Sequence, residues 1–379
     1  MTASASCRAA ASTATDLATA VAEVCDAVAL GNADLAFLFV SSEYGALAAS
    51  APGMVRKRLR PRHLLGCTVQ GIVAGGTETE RGPAVALWAV KLPEASLETF
   101  HLVSSRGPEG FAHAGLPAMT GAETAILLPD PFTCPVESVL QALGTETKVL
   151  GGVASGANEP GGNRLFVDGD VFPGGCVGVV LRGARLRPLV SQGCRPIGRP
   201  FIVTAARENM ISALAGQPAL ARLQETVAEA DPAIRAMARR GLHIGLVMDE
   251  YKERHEHGDF LIRNVLGVDA GSGALVVGDR VRTGQTVQFQ VRDGASAQAE
   301  FERLLRTMAG YGPPQGALLF SCNGRGSHLF AEVNCDARAV QAHLGPVPLA
   351  GFFAGGEIGP VGAANYLHGF TASLALFYA

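Results

Sequence analysis

The sequence has few charged residues, few aromatic residues and no long apolar run. Only 17% of its 379 residues are charged and 6% are aromatic, whereas charged residues make up roughly a quarter of an average domain. No uninterrupted apolar stretch reaches the ~18 residues of a membrane-spanning helix. Bases number 31 and acids 34, so no basic surplus favours nucleic-acid binding. We therefore predict neither a nucleic-acid partner nor membrane insertion.

The sequence also lacks C-x-x-C spacing and an evident targeting signal. Without paired spacing, the eight cysteines indicate neither a disulfide framework nor a zinc ribbon. The first residues lack the charged start and apolar core of a signal peptide. We expect reduced thiols and a cytoplasmic location. The cysteines are Cys7, Cys25, Cys67, Cys134, Cys176, Cys194, Cys322 and Cys335.

Glycine is abundant, with 47 of 379 residues where average usage is ~7%. Three segments carry glycines five residues apart, at Gly66–Gly71, Gly151–Gly156 and Gly351–Gly356. Each follows one apolar run and precedes another, which predicts a strand, a glycine-rich bend and a second strand. The uneven spacing of the copies argues against a solenoid and favours duplicated halves.

Periodicity predicts both helices and buried strands. Apolar side chains from Leu17 to Val28 recur on one helical face, and the apolar run Leu35–Val40 is typical of a strand buried on both sides. Residues 204–240 are predicted to be helical, with breaks at glycine and proline. Strands outnumber helices and several neighbours resemble antiparallel hairpins, which favours the α+β class.

The predicted architecture has two similar halves of mixed or antiparallel sheets, with helices on the outer faces of a layered sandwich. The expected domains are an N-terminal extension over residues 1–19, a first domain over 20–205, a helical connection over 206–240 and a second domain over 241–379.

The densest group of polar residues and glycines follows a predicted strand that ends at Ser321. Backbone N–H groups in such a turn can bind an anion, and an arginine can clamp a carboxylate with two hydrogen bonds. Two alternatives stay open: a thiol nucleophile with His328 or His368 as base, and a strand-end cysteine beside a tight turn. The candidate residues are Cys322, Asn323, Gly324, Arg325 and Gly326.

A second candidate segment surrounds one acidic residue in an apolar stretch. Glu357 must find donors there, which a ligand amine, Arg325 or backbone amides could supply. The corresponding positions in the other glycine segments are Ile72 and Ala157, so a general need of the scaffold does not explain the acid. The candidate residues are Gly356, Glu357, Asn365, His368 and Thr371.

A third cluster contains two histidines at alternate positions, which could hold a metal ion in an extended segment. No third ligand is fixed by the sequence, so a solvated hairpin tip is the preferred interpretation. We predict no metal site and no cofactor, and no nucleotide-binding loop, serine elbow or zinc-protease motif occurs. The cluster comprises Glu250, Glu253, His255, Glu256, His257 and Asp259.

These segments resemble FIST-domain proteins over residues 20–378. The C-terminal signature is carried by F-S-C-N-G-R-G at 320–326, G-F-F-A-G-G-E-I-G-P at 351–360 and H-G-F-T at 368–371. Shorter N-terminal matches lie at 37–41, 65–68 and 190–198. The family's first motif often contains a serine and a glutamate where this chain has Thr68 and Ile72, so polar contacts of that motif are not carried over.

The resemblance implies an intracellular sensory module for a small ligand, with amino acids among the candidates. No catalytic residue set is recognised for the family. We expect a chain of this length to hold two FIST halves without an output domain, so that it signals through a protein partner or its ligand binding serves another purpose. We expect an anionic or zwitterionic metabolite in one shared pocket, with Arg325 on a carboxylate and Glu357 on an amine. The alternatives are an enzyme using Cys322 and a ligand-free interaction scaffold. Iodoacetamide labelling tests the enzyme, which requires a thiol pKa well below ~8.5.

Overall fold

The computed structural model describes residues 6–108, 110–252, 255 and 258–379. The chain forms two compact units. The first contains residues up to Val190, Phe301–Leu367 and Thr371–Ala379, and the second contains Ser191–Glu300 and His368–Phe370. Strands account for 41% and helices for 24% of the chain, which confirms the predicted α+β class.

The elements up to Gln192 are strands, a 3-10 helix over Ser42–Ser50 and three α-helices. The helices are α1 (Leu17–Val28), α2 (Ala51–Leu59) and α3 (Val136–Leu143). The strands are β1 (Cys7–Ser12), β2 (Leu35–Ser41), β3 (His63–Val69), β4 (Ile72–Ala74), β5 (Thr77–Thr79), β6 (Val85–Val90), β7 (Ser96–Gly107), β8 (Gly110–Ala114), β9 (Thr124–Pro129), β10 (Lys148–Gly152), β11 (Leu165–Val167), β12 (Asp170–Phe172), β13 (Cys176–Arg182) and β14 (Leu186–Gln192).

The remaining elements begin with the second unit and return to the first. The helices are α4 (Ala219–Glu229), α5 (Pro232–Arg240), α6 (Gly294–Ala309) and α7 (Cys335–Leu344). The strands are β15 (Cys194–Pro196), β16 (Phe201–Arg207), β17 (Met210–Leu214), β18 (Gln217–Pro218), β19 (Leu242–Val247), β20 (Phe260–Val268), β21 (Leu275–Val277), β22 (Thr286–Arg292), β23 (Gly316–Cys322), β24 (Leu349–Ala354), β25 (Glu357–Val361), β26 (Ala364–His368) and β27 (Thr371–Phe377).

The first unit repeats one arrangement three times. In each copy, two parallel strands are joined by a helical crossover and a third strand pairs antiparallel with the first of them. The copies are β2–α2–β3 with β6, β9–α3–β10 with β13, and β23–α7–β24 with β27. The repeat predicted from the glycine pairs is therefore present in three copies.

The first glycine of each pair lies at the same place in every copy. Gly66, Gly151 and Gly351 stand opposite Leu38, Leu127 and Leu319 in the neighbouring parallel strand. A Cβ atom on these glycines would lie 1.9, 2.0 and 1.8 Å, respectively, from the carbonyl oxygen of the opposing leucine. Only glycine fits this close backbone approach.

Each copy passes its following hairpin to the sheet of another copy. The hairpin β4–β5 pairs with β24, β11–β12 pairs with β3, and β25–β26 pairs with β10. The residues that pair one position beyond the close-approach glycine are Ile72, Leu165 and Glu357. The predicted equivalence of Ala157 with Glu357 is corrected here, because a longer loop separates Gly156 from its hairpin.

The three sheets share one central apolar core, and helices cover their outer faces. Phe39 and Phe352 come from different copies, with ring centroids 4.9 Å apart, and Phe320 lies 5.6 Å from Phe352. The outer clusters contain α1 and α2 in the first copy, α3 in the second, and α6 and α7 in the third. The predicted face of α1, with Leu17 and Val28 buried, is confirmed.

Truncating Ile72 is expected to lower the free energy of unfolding by about 2–5 kcal/mol. The side chain is 1% exposed and belongs to the central core, so Ile72→Ala leaves a cavity where two copies meet. Urea unfolding measures the change, and Thr79→Ala at its half-buried partner on β5 is the control. A loss below about 1 kcal/mol would contradict the assigned packing.

The second unit is built around a closed ring of six strands. The order is β22-β16-β17-β21-β20-β19, and β19 pairs back to β22. The prediction that residues 204–240 are helical is wrong for its first part, because β16 and β17 form a hairpin there. Phe201, Val203 and Ile211 are buried in this hairpin, so tertiary packing overrides local helix propensity. The helices begin at Ala219.

Within the described residues, no helix combines the length and apolar character needed to cross a membrane.

Candidate functional site

Two of the predicted segments meet in the first unit. Strand β23 ends at Cys322, and the next residue, Asn323, donates its N–H to the carbonyl of Ala354 at 2.9 Å. After β24, the chain crosses onto the sheet of the second copy, where Glu357 on β25 pairs with Gly152. Strand β27 begins beside them at Thr371. The bend before Glu357 is fixed by the Gly356 carbonyl, which accepts a hydrogen bond from Val153 at 2.8 Å.

Glu357 is a fully buried carboxyl at this junction. Its Oε2 accepts a hydrogen bond from the Thr371 N–H at 3.0 Å, and its Oε1 has no partner of normal hydrogen-bond geometry among the described residues. Burial raises the pKa of Glu357 well above its ordinary value, while the Thr371 N–H, the Cys322 thiol and the Arg325 guanidinium oppose this with smaller effects. The carboxyl is therefore kept neutral at pH values where an exposed glutamate is ionised.

Arg325 is also fully buried, and its guanidinium is engaged by an aspartate. Nε and Nη2 donate to the two carboxylate oxygens of Asp336 at 2.8 and 2.7 Å. Ser321 Oγ donates to the same carboxylate at 2.8 Å, and the Phe330 ring lies 5.2 Å from the guanidinium carbon. The expectation that Arg325 clamps a ligand carboxylate is corrected, because this bidentate geometry is already used inside the protein.

Backbone N–H groups in the turn after β23 are likewise hydrogen-bonded within the protein. The N–H of Gly324 points to Cys322 Sγ at 3.4 Å, and the N–H of Arg325 donates to the Cys322 carbonyl at 2.8 Å. Gly326 has a φ of +55°, and the next residue, Ser327, donates its N–H and Oγ to Glu80 at 2.8 and 2.6 Å. An acidic side chain thus closes the turn that was predicted to hold an anion.

Asn365 makes its hydrogen bonds away from Glu357. The Asn365 side chain accepts from the Val149 N–H at 2.9 Å and donates to the Thr147 carbonyl at 2.8 Å. These bonds tie β26 to β10 and to the loop before it, which is a structural role. His368 is buried and belongs to the second unit.

The sequence analysis missed the acidic partners of this network. Asp336 occupies the first turn of α7, where an acid is favourable on any helix, so its position gave no sign of a buried ion pair. Glu78 on β5 accepts a hydrogen bond from the Ala337 N–H at 2.9 Å. Burial, followed by the nearby charge of Asp336, raises the pKa of Glu78 to about 7.

The predicted histidine cluster falls partly outside the described residues, since Glu253, Glu256 and His257 belong to the gaps. In the part of the chain that is described, no three His, Cys, Asp or Glu side chains lie close enough together to hold a metal ion.

Comparison with known proteins identifies the family. The model of the FIST N domain matches residues 34–217, and the model of the FIST C domain matches residues 219–360. The chain belongs to the FIST family. FIST domains are sensory domains of signal transduction proteins.

Two mycobacterial proteins align with most of the chain. The uncharacterized protein Rv0628c of Mycobacterium tuberculosis (strain ATCC 25618 / H37Rv) is 45% identical over 376 residues, covering 97% of this chain and 98% of its own length. The uncharacterized protein Mb0898c of Mycobacterium bovis (strain ATCC BAA-935 / AF2122/97) is 44% identical over 349 residues, covering 90% of each chain.

Proposed function

We propose that this FIST chain is a cytoplasmic sensory module that binds a small zwitterionic metabolite, such as an amino acid, and signals through a protein partner. The observation that carries the proposal is Glu357, a fully buried carboxyl with one oxygen that accepts no hydrogen bond of normal geometry. A buried polar atom left in this state is costly. A donor supplied by a ligand would remove that cost.

An ammonium group suits Glu357 better than a neutral donor does. A cation beside the carboxyl favours its ionised form, so the arriving charge would convert a neutral acid into a carboxylate and form a charge-assisted hydrogen bond. Before binding, the carboxyl is neutral and accepts the Thr371 N–H at Oε2; after binding, it is ion-paired with the ammonium group. Ligand binding is thereby coupled to the protonation of one residue.

The charge balance narrows the ligand class from anions to zwitterions. Asp336 neutralises Arg325, so a simple anion would meet no excess positive charge at this junction. The exposed side chain of Asn323, on the turn beside Cys322, is a neutral group that can donate to the carboxylate of a zwitterion. Gly152, which pairs with Glu357, has no side chain; a Cβ there would lie 2.9 Å from the Phe352 ring.

Glu357→Gln is expected to abolish the response to an amino-bearing ligand without lowering the melting temperature of the unliganded protein. Glutamine has the shape of a protonated glutamate and keeps an acceptor for Thr371, but it cannot ionise. A thermal-shift screen of amino acids, amines and organic acids measures the effect. A ligand at 100 times its Kd adds roughly 2.7 kcal/mol of stability to the wild-type protein.

Glu98→Gln is the matched control, since Glu98 lies on β7 and pairs with Arg182 at 3.2 Å on a partly exposed surface. This variant should respond to the same ligand as the wild-type protein does. An equal thermal shift in Glu357→Gln, or a wild-type protein that responds to no amino-bearing compound, would contradict the proposal.

A further inference from the structure

The second unit contains a separate pair of buried polar side chains with unmet hydrogen bonds. His243 on β19 and Gln290 on β22 are directly opposite each other in an antiparallel pair, so their side chains point to the same face. They are 3% and 1% exposed. His243 Nδ1 and Gln290 Oε1 each have no hydrogen-bond partner among the described residues. Such groups are rare in folded proteins and call for an explanation.

Gln290 Oε1 is an acceptor, and His243 Nδ1 is an acceptor when the ring proton is on Nε2. Burial, followed by the charge of Arg292, lowers the pKa of His243 to about 4, so the ring is neutral near neutral pH. A side-chain hydrogen bond with Asn264 raises this pKa. A hydrogen bond from the ring to an amide oxygen has this effect, because it favours the protonated ring. We assign the proton of the neutral ring to Nε2, since Nδ1 is the unpartnered nitrogen, and this assignment leaves the lone pair on Nδ1.

The surroundings of the pair disfavour a cationic ligand. The Arg292 guanidinium lies over the Phe370 ring at 4.8 Å from its centroid, and the same ring packs edge-on against His243 at 4.4 Å. The positive charge of Arg292 opposes a metal ion or an ammonium group. Neutral N–H donors are compatible with two acceptors beside a cation.

Phe370 forms an aromatic wall beside the pair. Its φ of +63° is uncommon for a bulky residue, and its carbonyl accepts a hydrogen bond from the Gly193 N–H at 2.9 Å. Residues held in such conformations cluster at ligand clamps and active sites.

From these contacts we infer a second binding site in this unit, at His243 and Gln290, for a small neutral molecule that bears a primary carboxamide. The two N–H bonds of the carboxamide donate to His243 Nδ1 and Gln290 Oε1, and its flat face lies against the Phe370 ring. This site is independent of the ligand proposed at Glu357, because its chemistry excludes an ammonium group.

Gln290→Met tests the site in the full-length protein, with acetamide and benzamide as probes. The substitution removes the acceptor and keeps a side chain of similar length. NMR of labelled histidine side chains should show saturable changes at His243 in the wild-type protein, and the variant should bind at least roughly tenfold more weakly. Gln224→Met on the exposed surface of α4 is the matched control and should bind as the wild-type protein does.

The unliganded variant supplies a second measurement that needs no probe. If Gln290 Oε1 has no internal partner, Gln290→Met should melt at the wild-type temperature or above it. A clearly lower melting temperature, equal probe binding by the variant, or no carboxamide binding by the wild-type protein would each overturn the inference. Acetamide has no amine, so Glu357→Gln should leave its binding unchanged, which separates this result from a failure at Glu357.

Discussion

Arg325→Met is expected to lower the free energy of unfolding by about 3–5 kcal/mol. The substitution leaves the buried Asp336 carboxylate with its arginine partner removed and with Ser321 as a remaining donor. An uncompensated charge in a buried site is strongly destabilising, whatever the net value of the intact pair. Urea unfolding monitored by circular dichroism measures the loss as a lower midpoint at an unchanged slope.

Two further variants separate the buried pair from a general effect of losing an arginine. Arg58→Met removes the exposed pair with Asp26 and should cost no more than about 1 kcal/mol. The double variant Arg325→Met/Asp336→Leu removes both charges, so it should recover much of the stability lost in the single variant. A cost below about 1 kcal/mol for Arg325→Met would mean that the guanidinium has no structural role and is available to a ligand.

Gly351→Ala is expected to prevent cooperative folding altogether. The added Cβ would lie 1.8 Å from the Leu319 carbonyl oxygen, and backbone atoms cannot rotate away as a side chain does. The two parallel strands of the third copy would have to separate inside the central core. The loss should exceed the ~1–3 kcal/mol of ordinary overpacking, and thermal unfolding followed by near-UV circular dichroism would show no native transition.

Gly53→Ala provides the matched control for this substitution. Gly53 lies in α2, and a Cβ there would have no heavy atom within 4 Å. Alanine is the better helix former, so this variant should be stabilised by about 0.5–1 kcal/mol. A folded Gly351→Ala protein of near wild-type stability would contradict the close strand approach at this glycine.

Much of the fold could be predicted from local patterns. The glycine pairs indicated the repeat, because each close approach of parallel strands requires a residue without a side chain. A glycine therefore recurs at the same place in each copy. The buried strand β2 and the apolar face of α1 were predicted for a similar reason, since burial selects the residue types at a fixed period. The α+β class followed from the balance of strands and helices.

The pairing of strands that are distant in the sequence could not be predicted from local patterns. The exchange of hairpins joins strands such as β4 and β24, which lie far apart in the chain, and no local pattern encodes that choice. The segment of β16 and β17 was predicted to be helical, but the burial of residues such as Val203 favours a hairpin there.

At the candidate site, too, local features could be predicted from the sequence and long-range contacts could not. The sequence singled out Glu357 because an acid in an apolar stretch must find donors. It also predicted that Arg325 binds a ligand carboxylate. A single arginine beside two glycines gives no information about an acidic partner elsewhere in the chain. The partner of Arg325 is Asp336, which lies in the first turn of α7. Ion pairing between separate elements is visible only in three dimensions.

Isothermal titration calorimetry tests the central claim most directly. The amino-bearing ligand found by thermal shift is titrated at several pH values, each in two buffers with different ionisation enthalpies. Because the pKa of Glu357 is raised by burial and an ammonium partner lowers it, binding should release a proton to the buffer. Affinity should rise with pH, by up to tenfold per unit, until the raised pKa is reached. Glu357→Gln should release no proton and lose the binding, whereas the same heat in both buffers for the wild-type protein would contradict an ammonium group at Glu357.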